Sequence, residues 1–280
     1  MFKNEHYCIN KIILIIYFFY LLFINYKYKY YLNKCILKYK LKNNFKSLFY
    51  NNNTNINQNF SKIIIYSALF GEYDIINPVF KQKQFDYVLF TDIIIKNKTN
   101  WTIYKIPKYI NKLNMSIVKK QRFIKLHPHL FFKNYEISIY IDTNFVINGN
   151  ISEFIERLLT PKFDIYIFEH PDRNCVYQEC SAVIIGKKEE PDIANQIKDR
   201  YQKLNFPYNF GLSENCLIVR RHNNKKCIIL MEKWWEQIKN YSKRDQLSLS
   251  YVLWKTGNKI KYISKIFGLS YFHQRNFHLK

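Results

Sequence analysis

Residues 137–144 read ISIYIDTN, a short apolar run that ends in a carboxylate and an amide. Such an unbroken run of β-branched and aromatic residues is typical of a strand buried on both faces. Similar runs lie upstream at residues 63–70 (IIIYSALF) and 85–92 (FDYVLFTD), and a helical pattern over residues 115–126 precedes ISIYID. This alternation predicts an α/β domain with a mostly parallel sheet, in which ligands bind beyond the C-terminal ends of the strands.

The same pattern extends the domain in both directions. Further strands are predicted at residues 101–106, 164–168 and 215–219. The helix over residues 115–126 must end before Pro128, because a residue that precedes proline is pushed out of the helical region. We expect one domain over residues 62–280.

The composition is that of a globular protein with a strongly positive surface. The 280 residues are 48% hydrophobic and 23% charged, which excludes a chain that is disordered throughout. The net charge is +23, from 44 Lys and Arg against 21 Asp and Glu, so anionic partners are expected. No nucleic-acid-binding motif is present, and no nucleic-acid partner is expected.

The N-terminal part of the chain predicts a membrane anchor. An unbroken apolar run from Ile12 to Ile24 can be extended through interfacial Tyr residues to position 32, which approaches the ~20 residues of a spanning helix. No small-residue cleavage site follows, so an uncleaved signal anchor is favoured over a signal peptide. The alternative is a buried helix of a soluble domain. The predicted organisation is a tail (1–11), an anchor (12–32) and an Asn-rich stem (33–61).

The lysines and the glycosylation sequons predict opposite orientations for this anchor. Six lysines between residues 27 and 42 outnumber Lys3 and Lys11, which places the domain in the cytosol by the positive-inside rule. N-glycosylation sequons favour a luminal domain instead. They start at Asn52, Asn59, Asn97, Asn100, Asn114, Asn150 and Asn240. The six cysteines have no C-x-x-C spacing, and both disulfide pairing and buried free thiols stay open.

Several apolar strands end in polar groups, which makes a site at one edge of the sheet plausible. Asp142 and Asn144 have the spacing of two oxygen ligands for Mn²⁺ or Mg²⁺, with one carboxylate between them. The alternative for Asp142 is a cap on the following turn. Two other clusters, HPDRNCVYQE at 170–179 and SKRDQ at 242–246, concentrate acids and bases. A helix that starts near Asp172 would explain the acid alone, but not the cation of Arg173.

Seven motifs occur in the order of one known family. They are IIIYSALFGEYD (63–74), DYVLFTD (86–92), QRFIKLHPHLF (121–131), IYIDTN (139–144), HPDRNCVYQE (170–179), ENCLIVRRHN (214–223) and WWEQIKNYSKRDQLSLSY (234–251). Over residues 62–272 the chain resembles the glycosyltransferase-like domain of the plant turgor-regulation-defect and mucilage-related proteins. The resemblance implies a GT-A-like fold, a nucleotide-sugar donor, a glycan, protein or lipid acceptor, and a type II protein of the Golgi or endoplasmic reticulum.

The resemblance also implies roles for particular residues. Ala68, Gly71 and Asp92 would hold the nucleoside, and Arg122 and Lys125 would face the diphosphate. A divalent cation would lie on Asp142, Asn144 and His222, and Asp245 would bind a substrate hydroxyl or act as the base. The further donor-binding candidates are Asp172, Arg173, Glu179, Arg244 and Gln246. Asn144 departs from the usual transferase pattern, in which a second Asp often stands there.

Two other functions remain open at this point. The family has also been associated with ceramidase activity, which would make this chain an amide hydrolase. The chain has neither a Gly-x-Ser-x-Gly elbow nor a His-Glu-x-x-His helix to support that reaction. A catalytically silent transferase fold that serves as a binding module is the second alternative.

Overall fold

A computed structural model describes residues 62–71, 74, 76–95 and 98–274. The predicted tail, anchor and stem therefore lie outside the described residues. Within the described part of the chain, no helix is long and apolar enough to cross a membrane. Cys175, Cys180, Cys216 and Cys227 are free and buried.

Seven strands form the main sheet, in the order β3-β2-β1-β4-β7-β6-β8. The strands are β1 Ile63–Leu69, β2 Asp86–Thr91, β3 Thr102–Tyr104, β4 Ile137–Ile141, β6 Ile165–Glu169, β7 Ser213–Arg220 and β8 Lys261–Ile263. The other strands run in one direction, whereas β7 is antiparallel to both of its neighbours. A separate two-stranded ribbon joins β5 Phe145–Ile147 to β9 Phe272–Gln274. The prediction of an α/β fold with a mostly parallel sheet is confirmed.

Helices cover both faces of this sheet. They are α1 Lys108–Asn111, α2 Ile117–Leu126, α3 Pro128–Phe131, α4 Ile151–Leu158, α5 Val176–Ile185, α6 Pro191–Lys203, α7 Lys225–Asn240, α8 Leu249–Thr256 and α9 Lys265–Leu269, with a 3₁₀ turn at Asp245–Leu247. Side chains cap three helix starts: Ser116 accepts from Lys119 N–H, Asn150 from Glu153 N–H, and Asn224 from Lys226 N–H. Each cap pairs a backbone donor that the helix itself leaves without a partner.

The pleat of the strands divides the core into two halves. Tyr66, Tyr140 and Ile218 face the half covered by α2, α5, α6, α7 and α8. The intervening residues of the same strands, such as Ile139 and Val219, face α4, α9 and the small ribbon. Because successive side chains of a strand point to opposite faces, apolar residues at every position are required here. The sheet is therefore buried on both sides.

Two predicted boundaries differ from the structure. The third strand is shorter than predicted, since only Thr102–Tyr104 pair with β2. This strand is the outermost one of the sheet and is exposed. The helix expected near Asp172 begins at Val176 instead. Asp172 and Arg173 therefore lie in the loop before α5, and the electrostatics of a first helical turn do not apply to them.

Candidate functional site

The strands β1, β2, β4 and β6 direct their C-terminal ends to one edge of the sheet, which we call the catalytic edge. The first two ends are joined there, since the Gly71 N–H donates to Asp92 Oδ1 at 2.9 Å. Gly71 has a φ of +66°, a left-handed conformation that glycine adopts without strain. Ala68, paired with Phe90 in the register of β1 and β2, lies just before this turn. The structure thus brings the three predicted nucleoside-binding residues together.

Asp142 follows β4 directly and is partly open to solvent. Its side chain is 31% exposed, and its Oδ1 accepts a hydrogen bond of 2.7 Å from the Tyr140 hydroxyl. The Nζ of Lys125 lies 4.0 Å from the same oxygen. The Asp142 N–H donates to Cys216 O at 2.9 Å, which fixes the start of the turn on β7. One carboxylate at this edge is therefore held in place while it remains accessible.

A second carboxylate, Asp245, is buried beside the first and paired with two cations. Its Oδ2 lies 2.7 Å from Lys125 Nζ and 3.4 Å from Arg122 Nε. Burial alone would raise the pKa of the Asp245 carboxyl. The positive charges of Arg122, Lys125 and Arg244 outweigh burial and hold that pKa well below its usual range. Asp245 is an anion that stabilises the cations on both sides of it.

The backbone of Lys125 is held as firmly as its side chain. Its carbonyl oxygen, near the end of α2, accepts from the Tyr66 hydroxyl at 2.7 Å and from Arg220 Nη2 at 2.8 Å. On the other side of the ion pair, the indole N–H of Trp234 donates to Asp245 O at 3.1 Å. The Lys125 ammonium is thereby placed between two carboxylates, at a position that the buried core defines.

Asn144 fits a cation site of few protein ligands. Its side chain is buried, and its Oδ1 has no hydrogen-bond partner among the described residues. A buried amide oxygen without a partner costs free energy, which a cation would recover. Within the described ranges, no three His, Cys, Asp or Glu side chains gather into a ready metal site. Asp142 and Asn144 therefore suit an ion that takes its remaining ligands from a substrate.

The third predicted metal ligand, His222, is not brought to this edge. Because β7 runs antiparallel to β4, Leu217 lies opposite Ile141 and Arg220 lies opposite Ser138. His222 is thus at the other end of the sheet, where its Nε2 bonds to Phe132 O at 2.9 Å. A shared ion with Asp142 is incompatible with this direction of the strand.

A second cluster lies beyond β6 and includes three of the predicted donor-binding residues. The buried Glu179 accepts from Arg173 Nε at 2.7 Å, and His170 Nε2 lies 3.7 Å from the same oxygen. The backbone N–H groups of Asp172 and Arg173 both donate to His170 Nδ1 at 3.2 Å. Burial lowers the pKa of His170, which favours the neutral ring that these bonds require. The loop is fixed around a cavity of about 460 Å³ with a polar lining, which includes Glu169, Gln178 and Tyr262.

Arg244 and Gln246 connect the two clusters. The guanidinium of Arg244 donates to Gln246 Oε1 at 2.9 Å, and Gln246 Nε2 donates to Ser213 O at 3.4 Å. Ser213 in turn pairs with Glu169 at the end of β6. The cavity beside His170 thus adjoins the Asp245 cluster along the start of β7.

Sequence reasoning missed the residues that hold the acid and the cation in place. Tyr140, whose hydroxyl also accepts from Gln121 Nε2, binds Asp142 directly. A signal for it existed, because positions 140 and 142 lie on the same side of an extended strand. No comparable signal existed for Trp234, which is 11 residues from Asp245 and on another helix.

Comparison with known proteins places the chain in a family. The TOD1/MUCI70, glycosyltransferase-like domain matches residues 40–277. No curated protein sequence matches the chain. Similar solved structures, each 10% identical and covering 73% of this chain, include the apo WbbM bifunctional glycosyltransferase (TM-score 0.45) and apo mouse xyloside xylosyltransferase 1 (TM-score 0.41). The match spans 39% of the WbbM chain and 84% of the xylosyltransferase chain. This chain belongs to the TOD1/MUCI70 glycosyltransferase-like domain family.

Proposed function

We propose that this chain is a membrane-anchored glycosyltransferase of GT-A type that moves a sugar from a nucleotide-sugar donor to a hydroxyl of a glycan, protein or lipid. The observation that carries the proposal is the pair of carboxylates around Lys125, one accessible and one buried. Family membership supports the reaction class. The catalytic edge supports the place of the reaction, because ligands of open α/β sheets bind beyond the C-terminal ends of the strands.

The donor would lie across the ends of β1, β2 and β4. Asp92 is exposed and its Oδ1 accepts from the Gly71 N–H, so its other carboxylate oxygen would be free to accept from a ribose hydroxyl. Lys125 and Arg122 supply positive charge beside Asp142, where a leaving diphosphate gains negative charge. These two cations are set in advance by Asp245, so little reorganisation is required when the charge develops.

A divalent cation such as Mn²⁺ or Mg²⁺ would be held by Asp142 and Asn144. When bound, it would supply Lewis-acid stabilisation of the diphosphate. The chain's own contribution is one accessible carboxylate, held by Tyr140, and one buried amide oxygen. With so few protein ligands, the ion should bind tightly only together with the donor.

Asp245 is not suited to the role of catalytic base. A general base works best when its pKa lies near the working pH. Two cations bind Asp245, and the pKa of its carboxyl lies well below the usual range. We therefore assign it as the residue that positions Lys125 and Arg122.

The acceptor would approach from the cavity beside His170. Its lining offers the carboxylates of Glu169 and Asp172, and the amide of Gln178, to the hydroxyl groups of a sugar or peptide. Arg173 and Glu179, predicted to bind the donor, form an ion pair between this loop and the buried carboxylate of α5. Their part in the proposal is to fix the loop that the substrate contacts.

The decisive experiment is a panel of nucleotide sugars in thermal-shift format, with and without Mn²⁺. A bound donor raises the melting temperature according to the logarithm of its concentration over its dissociation constant. We expect one class of donor to stabilise the protein, more strongly with Mn²⁺, and to be hydrolysed or transferred. Stabilisation without any turnover across acceptors would identify a silent binding fold, and no stabilisation by any donor would overturn the proposal.

We propose that the chain is a single-pass membrane protein of the Golgi or endoplasmic reticulum. The sequons and the family resemblance favour a luminal domain, and the lysines after the predicted anchor favour a cytosolic one. Expression in a eukaryotic cell followed by endoglycosidase separates the two. A shift in gel mobility would establish the luminal domain, and protease sensitivity from the cytosol without a shift would establish the opposite.

A further inference from the structure

One stretch of the domain carries basic residues and no acids. Between Asp92 and Glu136 the sequence contains ten Lys and Arg residues and no Asp or Glu. The central part of it, residues 102–120, includes the edge strand β3, α1 and the start of α2. We call its exposed surface the 102–120 face.

The lysines of this face have no acidic partners. Lys105, Lys108 and Lys112 are exposed, and Lys119 and Lys120 are partly exposed. None of the five forms an ion pair within the described part of the chain. Lys119 Nζ donates to Lys239 O at 2.8 Å and Lys120 Nζ to Asn111 Oδ1 at 3.4 Å, which leaves both charges without a neutralising acid. The positive charges of the face therefore add to one another across the surface.

Large apolar side chains are exposed among these lysines. Tyr109 is 53% exposed and Ile117 is 51% exposed, and Ile103, Leu113 and Val118 are also open to solvent. Scattered apolar residues are ordinary on a protein surface, but a group of them beside unpaired lysines marks an interaction site.

The apolar residues belong to one surface that the core holds in place. Ile106 and Ile110 are buried and fasten the segment before α1 and α1 itself to the sheet. Lys120 Nζ contacts Asn111 Oδ1 at 3.4 Å, which connects α2 to α1. The exposed residues therefore belong to a segment that the core holds in place.

We propose that the 102–120 face lies on the surface of an anionic lipid bilayer. The lysines would contact the phosphate and carboxylate headgroups, and the Tyr and aliphatic side chains would enter the interface between headgroups and acyl chains. A soluble polyanion such as RNA would use the lysines equally well. It would leave the aliphatic side chains of Leu113, Ile117 and Val118 in water, so the composition of the face favours lipid.

The test compares two vesicle compositions with the full chain. Amide hydrogen exchange over residues 102–118 is measured with vesicles of phosphatidylcholine alone and with vesicles that also contain phosphatidylserine. We expect slower exchange of this segment only with phosphatidylserine, and a return to the free rate at about 1 M salt, where the screening length is about 3 Å. This local readout is independent of any attachment of the N-terminal part of the chain to both vesicle types.

Two charge variants sharpen the test. The triple variant Lys105→Gln, Lys108→Gln and Lys112→Gln should weaken the contact on the order of 100-fold and abolish the slower exchange. The control Lys187→Gln, Lys188→Gln and Lys203→Gln removes the same charge from exposed positions elsewhere. It should leave the slower exchange intact. Equal effects of the two variants would mean that only net charge matters, which would overturn the proposal.

An apolar variant distinguishes lipid from a soluble polyanion. Tyr109→Ser with Leu113→Ser, two exposed positions of the face, should weaken the vesicle contact while all lysines remain. Slower exchange with RNA but not with vesicles would replace the lipid by a nucleic acid.

The proposal bears on orientation and not on the transfer reaction. Anionic lipid is enriched in the cytosolic leaflet. Contact with phosphatidylserine would therefore agree with the orientation that the lysines at residues 27–42 predict. Failure of the vesicle experiment would leave the donor-binding proposal unaffected, because none of the substituted residues is placed in the candidate site.

Discussion

The two ends of the main sheet carry similar side chains and use them differently. At the catalytic edge, polar side chains bind one another: Lys125 lies 2.7 Å from Asp245 and 4.0 Å from Asp142. Asn144 Oδ1 has no partner within the described residues. Charge is thus concentrated there, and some of it is left available to a ligand.

At the opposite edge, polar side chains bind backbone carbonyls. His222 bonds to Phe132 O, Asn223 donates to Tyr135 O at 2.8 Å, and Arg221 donates to Thr160 O at 3.1 Å. A side chain that satisfies a carbonyl closes a loop and offers nothing to a substrate. The contrast predicts that substitutions at the first edge reduce activity, whereas those at the second reduce stability.

The largest effect is expected from Asp142→Asn. The change keeps the shape of the side chain and removes its charge, so donor turnover should fall by about 1,000-fold, a loss comparable to removal of a key electrostatic group. The melting temperature should change little, because Asp142 is partly exposed. Initial rates with the donor found by thermal shift, and donor binding with and without Mn²⁺, measure the effect.

The matched control for this variant is Asp199→Asn, at an exposed position of α6. It should retain full activity. Full activity of Asp142→Asn, or wild-type turnover in excess chelator, would remove the metal assignment and leave Asp142 as a turn residue.

Lys125→Met should reduce the free energy of unfolding by about 3–4 kcal/mol. The Lys125 side chain is 1% exposed, and its loss leaves the buried Asp245 with fewer cations. Since the folded-state pKa of Asp245 is depressed, its stabilisation exists above the unfolded pKa of about 4 and is lost as the pH falls. In the variant the folded-state pKa moves toward the unfolded value, so this acid-dependent loss of stability should become smaller.

Urea unfolding over a pH series measures this effect. Lys198→Met, which removes a lysine without an ion pair among the described residues, should cost no more than about 0.5 kcal/mol. Equal losses in the two variants would show that the buried ion pair contributes nothing specific.

His222→Gln tests the opposite edge through its pH dependence. Burial lowers the pKa of His222 to about 4, while an unfolded histidine titrates near 6.5. Between these values the unfolded chain binds a proton that the folded chain does not, so stability decreases as the pH falls. The full effect is about 3 kcal/mol. Glutamine can still donate to Phe132 O but does not titrate, so this part of the slope should disappear.

The measurement is urea unfolding of both proteins between about pH 4 and 7, the window that the two pKa values define. His129, whose pKa burial also lowers, keeps part of the slope in both. An unchanged slope in His222→Gln would show that His222 has the same pKa in the folded and the unfolded chain. Donor turnover at neutral pH should be the same in both.

The sequence predicted which strand ends meet at one edge of the sheet, because strand ends follow simple rules. Apolar runs located β1, β2 and β4, and parallel strands bring their C-terminal ends together, which placed Gly71, Asp92 and Asp142 on one edge. The direction of β7 was not predictable. An apolar run reads the same in either direction, so Arg220-Arg221-His222 resembled another ligand-bearing end.

The contact between residues that are far apart in the sequence could not be predicted either. Lys125 and Asp245 are 120 residues apart, and the sequence suggested a separate role for each, a contact to the diphosphate for Lys125 and a substrate contact or base for Asp245. Only the packing of α2 against α7 brings the two side chains together. The cations that this packing places around Asp245 lower the pKa of its carboxyl, which is why we propose a positioning role for it and not that of a base.

The smallest effect, and the most closely controlled, is expected from Gly71→Ala. Gly71 and Gly257 both have a φ of +66°, so alanine should cost about 1 kcal/mol of stability at either position. Gly257 has no heavy atom within 4 Å of an added Cβ and precedes β8 at the opposite edge of the sheet. At Gly71 the Cβ would lie 3.4 Å from Ile117 Cδ1, an ordinary contact that adds no clash.

The melting temperatures should therefore fall equally in the two variants, by about 2–4 °C. Only Gly71→Ala should also weaken donor binding, by about tenfold, because the methyl group adds bulk to the turn that Asp92 binds, where the nucleoside is proposed to lie. Equal donor affinity in the two variants would show that Gly71 merely turns the chain, and would move the nucleoside away from the end of β1.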